Sequence, residues 1–308
     1  MSDFAHNAFT GVIPILATPF HADESIDFDS WKRTIAFMLS LKVDGLTVAG
    51  VLGEADRLTD RERIALIETA ARAIDGRVPL IAGVSHRGTR AVLSLAEAAR
   101  DAGATAIMLA PQKEATPNEE RIYETYARLA ATASMPIIVQ DHPASTETHM
   151  SVALIARIAN ELTAVRAIKA EAVPVGPKIA AIRAQLARPV SILAGLGALY
   201  APFDLAAGAD GFNTGFAFPE VLQAMIAAQR AGDQPMLDAH FARFAALIVL
   251  EQQPGVAIRK EVLKRRGLFA TSTVRHPGAP LSAHAAATLT ALIERTFGRM
   301  DIARPIQP

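Results

Sequence analysis

Residues 79–110, PLIAGVSHRGTRAVLSLAEAARDAGATAIMLA, contain the pattern that decides the fold. An apolar run, Pro79 to Val84, is followed by an amphipathic stretch ending at Asp101-Ala102-Gly103-Ala104, and then by a second apolar run, Ala104 to Ala110. Glycine just past the last helical residue is typical of a helix C-terminus. The stretch therefore predicts a strand, a helix and a second strand, which together form the βαβ unit of a parallel sheet.

The same alternation continues in both directions along the chain. Eight apolar runs are candidate strands: Val12 to Thr18, Gly45 to Ala49, Pro79 to Val84, Ala104 to Ala110, Pro136 to Gln140, Val165 to Lys169, Val190 to Ala194 and Gly211 to Thr214. Two of the helices between them have start signals, a possible cap at Asp27 and a capping-box spacing from Thr59 to Glu62. Eight units in about 220 residues predict a (β/α)8 TIM barrel of the α/β class. A doubly wound open sheet is the competing arrangement.

From Asp233 onward the pattern becomes purely helical. The candidate helices are Gln234 to Gln252, Gly255 to Gly267 and Ser282 to Phe297. No low-complexity linker precedes them, so we expect them to pack on the barrel. The predicted organisation is a barrel over residues 1–232 and a C-terminal helical extension over residues 233–308.

Composition excludes several classes of function. The 308 residues include 31 Lys and Arg, 31 Asp and Glu, and no cysteine. The zero net charge gives no general attraction to nucleic acid or anionic lipid, and without cysteine there is no disulfide, thiolate nucleophile or cysteine metal site. No run approaches the ~20 apolar residues of a membrane helix. The first 20 residues lack a basic leader, so we expect a cytoplasmic protein without nucleic-acid or membrane partners.

Lys169 is the most informative candidate residue. In a barrel, active-site residues come from the C-terminal ends of the strands, and Lys169 ends the apolar run that starts at Val165. Partial burial lowers the pKa of a lysine, and the neutral amine that results can attack a ketone carbonyl to form a Schiff base. The structural alternative is a strand-end lysine that pairs with Glu171 or another carboxylate.

Other strand ends provide weaker candidates. Asp141 and His142 follow strand five and His86 follows strand three, where a histidine can act as acid or base near neutral pH. The glycine pairs Gly50-x-x-Gly53 and Gly195-x-Gly197 can present backbone N–H groups to an anion. No metal-binding, Walker or GxSxG motif occurs, so we expect neither metal nor nucleotide dependence.

An ordered set of motifs adds a family resemblance. The motifs are Gly11-Val12-Ile13-Pro14, Thr18-Pro19-Phe20, Val43-Asp44-Gly45-Leu46, Gly53-Glu54 with Leu58-Thr59, Val78 to Val84, Ala102-Gly103-Ala104, Ile168-Lys169 and Gly208-Ala209-Asp210-Gly211. With these, nearly the whole chain resembles the dihydrodipicolinate synthase and N-acetylneuraminate lyase superfamily of Schiff-base lyases. The resemblance implies that Lys169 forms an iminium with pyruvate or another 2-keto acid, without any further cofactor, in a homodimer or homotetramer.

The chain also departs from the usual motifs of that superfamily. Val51 and Leu52 stand where two hydroxyl residues usually bind the keto-acid carboxylate, and Gln140 stands where a catalytic tyrosine is usual. Lys113 replaces a tyrosine of the strand-four loop, and Ser145 replaces the arginine that binds the second substrate of dihydrodipicolinate synthases. These losses argue against authentic dihydrodipicolinate synthesis.

The expected site follows from both lines of argument. We expect Lys169, Gln140 and His142 to be catalytic. The residues expected to bind substrate are Val51, Leu52, Gly195, Thr214 and Gly215. Asp141, His86, Lys113 and Glu171 are the further candidates, in that order after His142, for the proton carrier. The predicted function is a lyase or aldolase of 2-keto acids, with two alternatives: a dehydratase of 2-keto-3-deoxy sugar acids, and a non-catalytic keto-acid-binding homologue.

Overall fold

The computed structural model describes residues 9–116, 118–253 and 255–308. Eight strands alternate with helices along the chain. The strands are β1 (Gly11–Pro14), β2 (Leu46–Val48), β3 (Leu80–Gly83), β4 (Ala106–Leu109), β5 (Ile137–Asp141), β6 (Val165–Ala170), β7 (Ser191–Ala194) and β8 (Gly211–Thr214). The helices among the described residues are α1 (Phe28–Ser40), α2 (Asp60–Ile74), α3 (Thr89–Asp101), α4 (Glu119–Thr132), α5 (Pro143–Thr146), α6 (Val152–Glu161), α7 (Val175–Arg183), α8 (Ala201–Ala206), α9 (Pro219–Ala231), α10 (Gln234–Gln252), α11 (Val256–Arg265) and α12 (Ala283–Phe297).

All eight strands are parallel and close into a barrel. Each strand pairs with its neighbour in the chain from β2 to β8, and β1 pairs with β8 through Gly11 and Gly211. A parallel bridge between Ile15 and Thr47 joins the β1 and β2 sides. The (β/α)8 barrel prediction is confirmed, and the alternative of an open sheet is wrong.

Two apolar layers hold the barrel together. The interior layer is small: Phe9, Ile13, Ile81, Ala106, Met108, Ile138, Ala167 and Leu193. A much larger layer fills the space between strands and helices and includes Trp31, Ile35 and Phe212. Because side chains alternate across a strand, this division shows which residues face the barrel interior.

The apolar runs in the sequence are longer than the strands they contain. The run from Val12 to Thr18 forms a strand only to Pro14, and the run from Ala104 to Ala110 only between Ala106 and Leu109. The flanking residues Ile15, Leu16 and Ala110 are buried nonetheless. An apolar run therefore reports burial, which extends past the paired part of each strand.

The local helix signals act as predicted. The Asp27 carboxylate accepts hydrogen bonds from the backbone N–H groups of residues 29 and 30 at the start of α1. Thr59 and Glu62 form a capping box at the start of α2. Such contacts satisfy backbone donors that have no partner within the helix.

The C-terminal helices pack on the barrel through contacts with α9. Helix α10 lies against α9 and α12, and Arg266, which caps the C-terminus of α11, donates to Glu220 in α9 and to the carbonyl of Ala217. The division at residues 232 and 233 stays a prediction, and residues 1–8 of the predicted first domain lie outside the described residues. None of the described helices is both long and apolar enough to cross a membrane.

Candidate active site

Lys169 points into the C-terminal mouth of the barrel. It lies two residues after Ala167, which belongs to the interior layer, so alternation along β6 places the Lys169 side chain on the same interior face. The side chain is 3% exposed, and its Nζ lies 3.1 Å from Oε2 of Glu171. Glu171 comes directly after β6, two residues after Lys169, and therefore shares that face. The structure therefore shows the predicted buried lysine and the alternative of a Glu171 pair together.

Glu171 is held by groups at the ends of β5 and β7. Its Oε2 accepts a hydrogen bond of 2.7 Å from the Gln140 amide, next to Lys169, and its Oε1 accepts one of 3.1 Å from the Leu196 N–H. Nδ1 of His142 lies 3.9 Å from the same Oε2. A Cβ on Gly195 would stand 2.3 Å from the Glu171 side chain, so glycine leaves the space that the carboxylate fills.

The surroundings lower the pKa values of Lys169, Glu171 and His142. Burial lowers the pKa of Lys169 below its usual value, and the nearby Glu171 only partly opposes that shift. Burial by itself would raise the pKa of Glu171, but Lys169, His142, Gln140 and the Leu196 N–H outweigh it and lower that pKa. Burial also lowers the pKa of His142, which favours the neutral imidazole. The lowered pKa of Lys169 raises the share of the neutral amine, and the lowered pKa of Glu171 keeps its carboxylate ionised beside that amine.

Strand five places its polar residues on opposite faces. Gln140 is paired in register with Lys169 and faces the interior. Asp141, the next residue, faces the helices and forms an ion pair of 2.6 Å with Lys178 in α7. Nδ1 of His142 lies 2.6 Å from the hydroxyl of Ser145. The structure therefore brings Gln140 and His142 to Lys169 but separates Asp141 from it.

The expected substrate-binding residues divide in a similar way. Leu52 lies over β8, where a Cβ on Gly215 would be 2.6 Å from its Cδ1, while Val51 is 45% exposed. Gly215 is on the interior face. Thr214 is buried and lies on the same side of β8 as Phe212, whose side chain faces the helices. Of the pair at the end of β8, Gly215 therefore adjoins the mouth, whereas the Thr214 hydroxyl points away.

The two remaining candidates lie away from Lys169. His86 is exposed and accepts a hydrogen bond from the Gly88 N–H, and Lys113 pairs with Glu147 on the surface. Both line a cavity of about 670 Å³ between the loops after β3 and β4. Within residues 9–116, 118–253 and 255–308, no three His, Asp or Glu side chains are grouped so that they could hold a metal ion.

Arg259 is a charged residue at the mouth that the sequence does not reveal. It belongs to α11 of the C-terminal extension, is 3% exposed, and lies close to Gly197 and Gly215 at the ends of β7 and β8. Its Nε–H donates to Glu251 in α10. In the sequence Arg259 is one of many charges in a helical region, and only the packing of α11 on the barrel brings it to the site.

Comparisons with known proteins agree with this fold. Residues 8–296 match the model of the dihydrodipicolinate synthetase family. L-2-keto-3-deoxyarabonate dehydratase of Azospirillum brasilense is 30% identical, over 92% of this chain and 94% of that one. 4-Hydroxy-tetrahydrodipicolinate synthase of Moorella thermoacetica is 31% identical over 83% and 88%.

Solved structures give the same result. Dihydrodipicolinate synthase from Rhodopseudomonas palustris superposes with a TM-score of 0.88 at 33% identity, covering 94% of this chain and 98% of that one. YagE of E. coli K12, a member of the dihydrodipicolinic acid synthase family solved in complex with pyruvate, superposes with a TM-score of 0.86 at 25% identity over 94% and 98%.

Proposed function

The chain belongs to the dihydrodipicolinate synthetase family and is a lyase, and from that premise we propose that it acts on 2-keto acids through a Schiff base on Lys169. One observation carries the proposal: a buried lysine amine lies 3.1 Å from a carboxylate at the C-terminal mouth of the barrel. Burial favours the neutral nucleophile, and the carboxylate accepts the proton that the ammonium must lose.

The first chemical step joins Lys169 to the substrate. Glu171 takes a proton from the Lys169 ammonium, and the nitrogen lone pair attacks C2 of the keto acid. The ketone oxygen takes a proton from the attacking nitrogen and becomes the hydroxyl of a carbinolamine. Glu171 then returns its proton to that hydroxyl, which leaves as water, and an iminium remains. Gln140 keeps Glu171 in place through its 2.7 Å hydrogen bond, a role that a glutamine amide performs without titrating.

The iminium then activates the adjacent carbon. It withdraws electrons from C3, so that a base removes a proton there and an enamine forms. Glu171 is the ionised group closest to Lys169, and we assign it this proton. His142, 3.9 Å from Glu171 and predominantly neutral, is positioned to exchange the proton with it. In the aldolase direction the enamine carbon attacks an aldehyde, and in the cleavage direction it arises from C3–C4 bond breakage.

A dehydratase of 2-keto-3-deoxy sugar acids is the second candidate. In this reaction the same enamine expels the hydroxyl on C4, which leaves as water after protonation. The likeness to the Azospirillum brasilense dehydratase over 92% of the chain favours it. Glu171 again acts as the proton donor, since a protonated carboxyl can donate a proton to a leaving hydroxyl.

The site fits authentic dihydrodipicolinate synthesis poorly. Ser145, which is exposed and contacts His142, offers no positive charge where such synthases hold their second substrate. Loss of a hydrogen bond to a charged group typically removes ~1.5–3 kcal/mol of binding. We therefore propose that the partner of the keto acid is another aldehyde or that the reaction is a dehydration.

The remaining properties follow from the same proposal. We infer that the enzyme needs no cofactor besides the covalent lysine Schiff base, acts on small keto acids in the cytoplasm, and assembles as a homodimer or homotetramer. Light scattering of the purified protein tests the assembly, and activity after dialysis against a chelator tests the cofactor.

Borohydride trapping tests the central step. The protein is incubated with pyruvate and a panel of longer 2-keto acids, reduced with borohydride, digested and mapped by mass spectrometry. We expect an adduct on the peptide that contains Lys169, and none in Lys169→Ala. Lys178→Ala, which removes another lysine near strand five, is the matched control and keeps the adduct. Failure of every keto acid to label Lys169 contradicts the proposal, and product analysis for water loss or C–C cleavage separates the two reactions.

A further inference from the structure

Arg259 is a buried cation without full neutralisation. Its Nε–H donates to Oε2 of Glu251 at 3.2 Å, and both side chains are less than 5% exposed. Burial raises the pKa of Glu251 to about 7, so the partner carboxylate is ionised only in part near neutral pH. A buried charge with incomplete compensation is costly, and its retention here calls for a further anionic partner.

The Arg259 side chain lies beside the ends of β7 and β8, within electrostatic reach of Lys169. A Cβ on Gly215, on the interior face of β8, would lie 3.7 Å from Cδ of Arg259, and one on Gly197 would lie 3.0 Å from Nη2. The positive charge of Arg259 also contributes to the lowered pKa of Lys169, after burial. Arg259 therefore lies beside the barrel mouth on the β7 and β8 side, next to Leu52, which packs over the same Gly215.

Comparison with Arg266 separates a binding arginine from a structural one. Arg266 caps the same helix and is equally buried, but Nε and both terminal nitrogens donate to protein acceptors: the Ile302 carbonyl, the Ala217 carbonyl and the Glu220 carboxylate. In the part of the chain that the structure describes, Arg259 makes one hydrogen bond, through Nε. Its two terminal nitrogens retain the planar pair of donors that fits a carboxylate.

We propose that Arg259 binds the C1 carboxylate of the 2-keto acid while Lys169 attacks C2. The proposal rests on the Schiff-base function above and supplies what the strand-two loop lacks, since Val51 and Leu52 have no hydroxyl for an anion. C1 and C2 are bonded, so the carboxylate must lie beside Lys169, where Arg259 adds positive charge. The preferred substrate class is thereby narrowed to keto acids with a free carboxylate, and a keto ester reacts with Lys169 without the Arg259 contact.

Trapping with a charged and an uncharged ketone tests this assignment. The yield of borohydride adduct on Lys169 is measured against pyruvate and methyl pyruvate concentration for the wild type and Arg259→Gln. We expect the half-saturating pyruvate concentration to rise about ten- to hundredfold, the usual effect of losing a hydrogen bond to a charged group. The half-saturating methyl pyruvate concentration of Arg259→Gln should stay within about twofold of the wild-type value. Arg259→Lys keeps the positive charge but loses the planar pair of N–H donors. We therefore expect an intermediate rise in the half-saturating pyruvate concentration.

Arg266→Gln is the matched control. It removes a buried, ion-paired arginine from the end of the same helix, so it lowers the thermal unfolding temperature without changing half-saturation by pyruvate. An unchanged half-saturation in Arg259→Gln, or an equal rise for pyruvate and methyl pyruvate, overturns the assignment. If Arg259→Gln does not fold, the same comparison of half-saturation by pyruvate and by methyl pyruvate is made with Arg259→Lys.

A separate measurement distinguishes this proposal from the Schiff-base function. Calorimetry records non-covalent binding of pyruvate to Lys169→Ala and to the Lys169→Ala, Arg259→Gln double variant. Weaker binding by the double variant supports Arg259 even if wild-type Lys169 is never trapped. Equal binding by both, or no binding of pyruvate by Lys169→Ala, overturns the Arg259 assignment, while an adduct on wild-type Lys169 would still uphold the Schiff base.

Discussion

At the scale of single residues, the site depends on the two-residue period of a strand. Lys169 and Glu171 are two positions apart and therefore emerge on the same side of β6, inside the barrel. Asp141, one position from Gln140, emerges on the other side and pairs with Lys178. Alternation thus decides which polar residues reach the site, and it favours Glu171 over Asp141 as proton carrier.

Glu171→Gln and His142→Asn distinguish the two proton carriers. Glu171→Gln keeps the shape and the contact with Gln140 but cannot accept a proton, so we expect the turnover rate to fall by about 10²–10⁴, the range for a general base. His142→Asn leaves Glu171 ionised and costs about tenfold or less on the same scale. The measurements are steady-state kinetics and single-turnover trapping at pH 7. The reverse ranking of the two losses would show that His142 is the carrier.

Local sequence pattern predicts only some of the residues of the site, for a physical reason. The placement of Lys169 was predictable because a strand end fixes where a side chain emerges, whereas the catalytic role expected for Gln140 came from the family resemblance. Glu171 had the same signal in its spacing from Lys169, although the sequence ranked it last of the five candidate proton carriers. Arg259 had no such signal, because its position depends on how α11 packs on strands more than 40 residues earlier in the chain. Contacts of that kind are set by tertiary packing and not by local pattern.

At the scale of elements, glycines set how closely strands and turns approach one another. Gly211 pairs with Gly11 where β8 meets β1, and a Cβ on Gly211 would lie 2.0 Å from the Gly11 carbonyl oxygen. Gly195 at the end of β7 adjoins the Glu171 side chain instead. The first glycine is required by the barrel seam, and the second by the site.

Gly211→Ala and Gly195→Ala should therefore have different consequences. Gly211→Ala forces backbone apart at the seam, so we expect it to lower the free energy of unfolding by about 1–3 kcal/mol, as overpacking does. Gly195→Ala displaces the Glu171 carboxylate and mainly lowers the turnover rate. Urea unfolding and steady-state kinetics measure the two effects. Gly88→Ala, where an added Cβ would have ordinary contacts, is the control. Equal stability of Gly211→Ala and Gly88→Ala would contradict the interpretation of the seam.

At the scale of the whole molecule, the C-terminal part of the chain is tied to the loops after β1 and β2 and to the start of α2. Arg275 donates to both carboxylate oxygens of Glu62, at 2.8 and 2.9 Å, and to the carbonyls of Glu24 and Arg57. Lys260 in α11 pairs with Glu54 in the loop after β2. These contacts hold the extension that carries Arg259 against the barrel, so the geometry of the mouth depends on residues distant from it in sequence.

The Glu62–Arg275 contact makes part of the stability depend on acid pH. Hydrogen bonds from Arg275 lower the pKa of Glu62 from 4.5 to about 2. Between these values the unfolded chain binds more protons than the folded one, so this contribution is complete above pH 4.5 and is lost as the pH falls toward 2. We expect the unfolding free energy of the wild type to exceed that of Glu62→Gln at pH 7 and the difference to shrink steadily below pH 4.5. Urea unfolding at pH 7, 5, 4 and 3 measures that difference.

Glu68→Gln provides the comparison within the same helix. Glu68 lies 3.8 Å from Arg72 with both side chains exposed, and such pairs contribute little to stability. The unfolding free energy of Glu68→Gln should therefore differ little from that of the wild type at every pH. A difference between the wild type and Glu62→Gln that stays constant from pH 7 to pH 3 would show that the Arg275 contact does not stabilise the ionised carboxylate. The extension would then be held mainly by the apolar packing of α10 and α12 and by the Arg266–Glu220 pair.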